Sequence, residues 1–323
     1  MMMFSGHLPA CVVGTAAALV VTIPLMAAQA LTKEQVNAVA SQTTVVIGQG
    51  LQEGDIEARR EWNPGSGVIV AREGQMYYVL TALHVVRTRE VTYGVRTSDG
   101  KVHFVDDVDT QENIMPLGEE EGEFGESIRG LDLAIIAFES DRDYPIAVMG
   151  DSREMDPGET VYISGWPNPE DDSARRVREF VEGTLSDIAT PPSEDGGYSL
   201  LYTNETRRGM SGGPVFNVRG ELIGIHGRGR AREETYCIDP ELSESNSCGI
   251  QTQDFMARAK GENLDLAFAE PPVDPELIAR GRANMKEADT IEDIYQDFTL
   301  LRSLLRDGPS GGCESLLLGE PCP

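Results

Sequence analysis

At 323 residues the chain is long enough for two cores of ordinary size plus appendages. A formal net charge of −27 argues against a nucleic-acid partner, whose phosphates attract basic surfaces. Four histidines and no close Cys/His cluster argue against a transition-metal site, and no cofactor is implied.

From Leu8 to Ala28 no residue is charged, and Ala28-Gln29-Ala30 forms a small-residue site before Thr32-Lys33-Glu34-Gln35. This predicts a secretory signal over residues 1–30, cleaved after Ala30. The segment before it has His7 but no Lys or Arg, so an uncleaved anchor is the alternative, given the near-spanning length of the apolar run. Leu8-Pro9-Ala10-Cys11 resembles a lipoprotein box only superficially, because no hydrophobic region precedes it. Leu31 to Ala40 reads as an amphipathic helix.

From Val45 to Ile250, apolar runs of four to eight residues separated by Gly, Asp, Asn and Pro predict an all-β body. Gly65-Ser66-Gly67-Val68-Ile69-Val70 opens one strand, and Tyr77 to Val86 is another, with His84 near its end. After an Asp99-Gly100 turn, Lys101-Val102-His103-Phe104-Val105 is a strand on which His103 is expected to face solvent. Asp106 to Glu126 holds nine acidic residues and no basic one. A solvated insertion is favoured there over a Ca²⁺ loop, since the spacing fits no compact oxygen cage. Leu131-Asp132-Leu133-Ala134-Ile135-Ile136 sets one carboxylate at the mouth of an apolar run, where burial without a partner would be costly.

Gly209-Met210-Ser211-Gly212-Gly213-Pro214 could be a turn and nothing more. The order His84, Asp132, Ser211, with intervals of 48 and 79 residues, decides otherwise. It is the chain order of a His–Asp–Ser triad on double β-barrels. Serine needs a base within hydrogen-bond reach, which His84 can be, while Asp132 would fix the imidazole tautomer. Farther on, Cys237, Cys248, Cys313 and Cys322 form an even set suited to an exported protein. Their spacing suggests two local loops, Cys237–Cys248 and Cys313–Cys322, among three possible connectivities. Pro271 to Pro275 begins a linker, after which Glu276–Met285 and Ile291–Leu305 have helical spacing.

On these motifs, from about Thr43 to about Ala259, the chain resembles the trypsin-like serine peptidases. The resemblance extends to Val161-Tyr162-Ile163-Ser164-Gly165-Trp166-Pro167, Glu182 to Ser186 and Glu221 to Gly227. It is greatest for the exported bacterial branch with HtrA-like proteases and glutamyl endopeptidases. It implies two six-stranded antiparallel β-barrels, over residues 31–150 (with the N-terminal helix) and 151–270, then a helical tail over 271–323. It further implies an exported, periplasmic or secreted endopeptidase acting on proteins or peptides, with no stable membrane insertion once the signal is removed. The amides of Gly209 and Ser211 would form the oxyanion hole. His226, fifteen residues after Ser211, and Thr206, five before it, match the glutamyl endopeptidases, whereas HtrA-like proteins have Asn at the former position. Cleavage after Glu or Asp is the implied preference, since both side chains can donate hydrogen bonds to a carboxylate. Those relatives also use a mature N-terminal ammonium, and Arg207, Arg208 or Arg228 could supply positive charge here instead. The rival reading is a noncatalytic binding module on a protease scaffold.

Overall fold

The computed structural model describes residues 30–53, 64–88, 90–106, 112–122, 127–169, 176–230, 237–238, 245–262 and 264–286. The expected signal, the Ile291–Leu305 helix, Cys313 and Cys322 lie outside the described residues.

Helix α1 (Lys33–Thr43) starts at a capping box in which Thr32 and Gln35 satisfy each other's backbone N–H groups. Seven strands follow: β1 (Thr44–Gln49), β2 (Gly65–Glu73), β3 (Met76–Thr81), β4 (Tyr93–Arg96), β5 (Val102–Val105), β6 (Ile114–Glu121) and β7 (Ser127–Glu139). They form one antiparallel sheet in the order β5-β4-β1-β2-β3-β7-β6. The central strands read as unbroken apolar runs because both faces are covered. Val68 and Val70 enter one cluster, shared with Val36, Val39 and Leu222, while Ile69 joins Val45, Val79, Ile136 and Phe138 in another.

The second half is a closed barrel of β8 (Thr160–Gly165), β9 (Glu179–Ile188), β10 (Leu200–Tyr202), β11 (Pro214–Phe216), β12 (Leu222–Arg228) and β13 (Ser247–Gln251). Val161, Ile163, Leu200, Val215 and Ile223 fill its interior. Helix α2 (Thr252–Gly261) and residues 275–286 (α3) pack with α1 on the outer cluster through Phe255, Leu277 and Ile278. Among the described residues no helix is long and apolar enough to cross a membrane.

Three expectations need correction. The first half is not a closed six-stranded barrel: it is a seven-stranded sheet curled until β5 meets β7, where His103 stacks on Phe138 at 4.4 Å. His103 therefore does not face solvent. It is 9% exposed and bonds the Tyr144 hydroxyl at 2.9 Å, and its neighbour Phe104 is the exposed residue. The acidic stretch is not merely an insertion, because residues 114–121 are β6, which buries Ile114 and Leu117 and pairs with β7. Helix α2 also lies outside the helices expected at the two ends of the chain.

Candidate active site

Strand β3 ends at Thr81, whose hydroxyl donates to the Ser66 carbonyl (2.6 Å). The next residues form a 3-10 turn, Leu83–Val85, that buries Leu83 and Val85 and leaves the His84 ring partly open to solvent. Asp132, on β7 and 1% exposed, takes both His84 donors: its Oδ1 accepts the backbone N–H at 2.9 Å, and its Oδ2 lies 2.6 Å from Nδ1. Burial by itself would raise the Asp132 pKa. The His84 charge, together with hydrogen bonds from His84 and Tyr198, outweighs it and holds the carboxyl below its ordinary value.

The segment carrying Ser211 crosses from the barrel to the ends of β2 and β3. Ser66 fastens it twice, its N–H donating to the Ser211 carbonyl and its hydroxyl to the Gly209 carbonyl, both at 2.8 Å. Gly212 makes this approach possible. A Cβ there would sit 2.2 Å from both the Ser66 carbonyl oxygen and the Thr81 hydroxyl, with φ at +83°. Ser211 thus stands against the strand that leads to His84, although its own hydroxyl donates to the Gly227 carbonyl (3.1 Å) and not to His84.

The two expected oxyanion donors are oriented by their peptide planes. The Arg208 carbonyl accepts from Asn168 N–H at 2.7 Å, so the trans peptide turns the Gly209 N–H the opposite way. The Met210 carbonyl accepts from Gly213 N–H (2.9 Å) and turns the Ser211 N–H in like manner. Among the described residues neither amide donates to a backbone carbonyl.

His226 and Thr206 have different hydrogen-bond partners. His226, 2% exposed, pairs its Nδ1 with the Tyr202 hydroxyl at 2.8 Å and lies opposite Gly249. Thr206 reaches the Ser247 hydroxyl at 3.3 Å. Ser247 and Gly249 are two apart on β13 and so share a face. Burial pushes the His226 pKa down to about 3, with a smaller contribution from the His84 charge. Of the three arginines considered for this region, Arg207 pairs with Glu179 and Arg228 with Asp195, while Arg208 is exposed. Cys237 and Cys248 are bridged, with Cα atoms 5.8 Å apart. Among the described residues no group of three or more His, Cys, Asp or Glu side chains could hold a metal ion.

Sequence reasoning missed Tyr198, whose buried hydroxyl donates to Asp132 Oδ2, and the fastening role of Ser66. Ser66 lies in the Gly65-Ser66-Gly67 motif, but no local signal marks Tyr198.

A curled antiparallel sheet and a closed barrel, meeting at a His84 ring held by buried Asp132 and a glycine-flanked serine, define a trypsin-like fold. Residues 65–225 match the family model described as trypsin-like peptidase domain, and the chain carries such a domain. The relatives it is similar to include proteins named DegP-like and HtrA. A probable periplasmic serine endoprotease DegP-like of Marinomonas sp. (strain MWYL1) is 31% identical over 163 residues, 50% of this chain and 29% of that protein. The serine protease Do-like HtrA of Bacillus subtilis (strain 168) is 28% identical over 265 residues, 78% of this chain and 49% of that protein. The chain thus spans half or less of these relatives. A solved HtrA-type protease with tripeptide aligns with a TM-score of 0.49 at 17% identity, over 73% of this chain and 64% of that one.

Proposed function

We propose that this chain is an exported serine endopeptidase that cleaves proteins or peptides through an acyl-enzyme. The observation that carries the reading is the two-point grip of buried Asp132 on His84 beside Ser211. In the reaction Ser211 leaves Gly227, gives its proton to His84 Nε2 and attacks the scissile carbonyl carbon. The Gly209 and Ser211 amides bind the developing oxyanion, each donor worth on the order of 3 kcal/mol. His84 then returns the proton to the leaving amine, and water, activated by the same imidazole, hydrolyses the ester.

Preference for Glu or Asp before the scissile bond is the finer part of the proposal. It is supported by the common β13 face beside which Thr206 and His226 stand. With His226 neutral, such a pocket would recognise a carboxylate by hydrogen bonds and not by charge. The Ser211–Gly227 hydrogen bond is what a noncatalytic module could share, so labelling is the deciding experiment. Folded, processed protein is expected to take a fluorophosphonate at Ser211; lack of a Ser211-dependent adduct, with either end trimmed or intact, refutes the peptidase reading. A fluorogenic library varied before the bond tests the preference, and selection of small apolar residues removes it.

A further inference from the structure

Tyr198 is a large polar side chain with no exposed surface, and its hydroxyl donates to the same Asp132 oxygen that receives His84 Nδ1. The surroundings are shaped for it. A Cβ on Gly227 would lie 2.2 Å from Tyr198 Cε1 and 2.8 Å from its hydroxyl oxygen. A Cβ on Gly196 would lie 2.8 Å from Cε2 and 3.0 Å from the Asp132 Cβ. The ring is covered by the Arg228 guanidinium, 4.6 Å from its centroid, which Asp195 holds at 2.7 Å. Asp195 in turn accepts from the Ile128 N–H (2.8 Å), and the Gly196 carbonyl accepts from the Asp132 N–H (2.9 Å). The Tyr198 support and the start of β7 are therefore one hydrogen-bonded unit.

We infer that Tyr198 is a positioning residue of the proposed triad, orienting the Asp132 carboxylate and limiting how strongly it draws on the His84 N–H. This rests on the peptidase reading. Burial, then the neighbouring Asp132 charge, raise the Tyr198 pKa well above its ordinary value, so the phenol remains a donor throughout the working range. Facing the carboxylate are His84 and Tyr198, with Arg228 and Asp195 behind the ring. With three donors, two from His84 and one from Tyr198, sharing two oxygens, the phenol and the imidazole compete for Oδ2. Removing the phenol leaves a less tightly oriented carboxylate that is a stronger acceptor for His84.

The test is Tyr198→Phe in the full processed chain, which keeps the ring and deletes only the donor. The acid limb of its kcat/KM profile is expected to move to higher pH by about half to one unit. kcat should fall on the order of tenfold through lost orientation, with KM within about twofold because substrate contacts are untouched. The low-field His84 Nδ1–H proton resonance, which needs no turnover, should move farther downfield. Replacing Tyr198 by a fluorotyrosine, a stronger donor of almost the same shape, should move limb and resonance the opposite way. A purely structural role would not reverse sign. Unmoved limb and resonance in both proteins overturn the inference, and if Tyr198→Phe does not fold, the fluorotyrosine protein decides alone. Failure of wild-type Ser211 to label would sink the peptidase reading instead, while the resonance still reports on the Tyr198–Asp132–His84 link.

Discussion

Acidification should destabilise this protein through His226 in a way that one substitution can isolate. In the folded chain burial pushes the His226 pKa down to about 3, whereas the unfolded chain binds that proton near 6.5. The unfolded state therefore holds more protons below 6.5, and stability falls as pH falls, until the folded group also titrates near 3. Each pH unit in that window costs about 1.4 kcal/mol, so going from pH ~7 to ~4.5 removes about 2.5 kcal/mol through this group alone. That is a large part of the usual stability of a domain. The comparison is wild type against His226→Gln, whose amide can still meet the Tyr202 hydroxyl, by urea denaturation at both pH values. Carboxylates such as Asp132, whose depressed pKa also makes stability fall with acid, contribute to both proteins and cancel. The variant should start less stable yet lose about 2.5 kcal/mol less on acidification. Equal losses in the two proteins would refute the reasoning, since His226 would then be titrating in the fold as it does in water.

Two further substitutions probe how Ser211 is held. Gly212→Ala should abolish measurable activity and lower stability by about 2 to 4 kcal/mol, from a side chain at positive φ plus clashes with Ser66 and Thr81. Thermal melting together with kcat/KM checks it, and a stable, active variant would mean that the segment can withdraw from β2. Ser66→Ala leaves the Gly209 carbonyl and the Trp166 N–H without the hydroxyl they share, at about 1 to 3 kcal/mol for each group. The urea midpoint should drop, and kcat should fall more than KM rises; normal kinetics with a lowered midpoint would confine Ser66 to a structural role.

Much of the fold was legible because strand signals are local. Val68 to Val70, Val79 and Leu80, and Leu133 to Ile136 declare themselves as strands buried on both faces. What escaped was closure and facing, which depend on how far a sheet curls. The pattern around His103 marks a solvent-facing strand position, and only the return of β5 to β7 gives its ring a stacking partner in Phe138 and a hydrogen-bond partner in the Tyr144 hydroxyl. The acidic segment hid a strand for a similar reason: Ile114 and Leu117 are two buried anchors in a run whose charge suggested solvent. At the site, residue identity and order made a His–Asp contact foreseeable. Tyr198 was not, since nothing about a tyrosine 66 residues from Asp132 signals a hydrogen bond until the fold closes.

Glycine connects these outcomes. Beside Ser211 it lets the backbone turn, since Gly212 has positive φ. Its greater demand is clearance, for it lets one barrel's serine segment lie directly on the backbone of the other half. Gly227, one residue beyond His226, is also a clearance glycine, and what fills the space is the Tyr198 ring on its way to Asp132. The Gly227 carbonyl meanwhile accepts the Ser211 hydroxyl, so a single residue makes room for the tyrosine behind Asp132 and holds the serine proton. A side chain at 227 would thus disturb both ends of the proposed relay at once. The vacancy is as much a part of the site as the groups that carry protons.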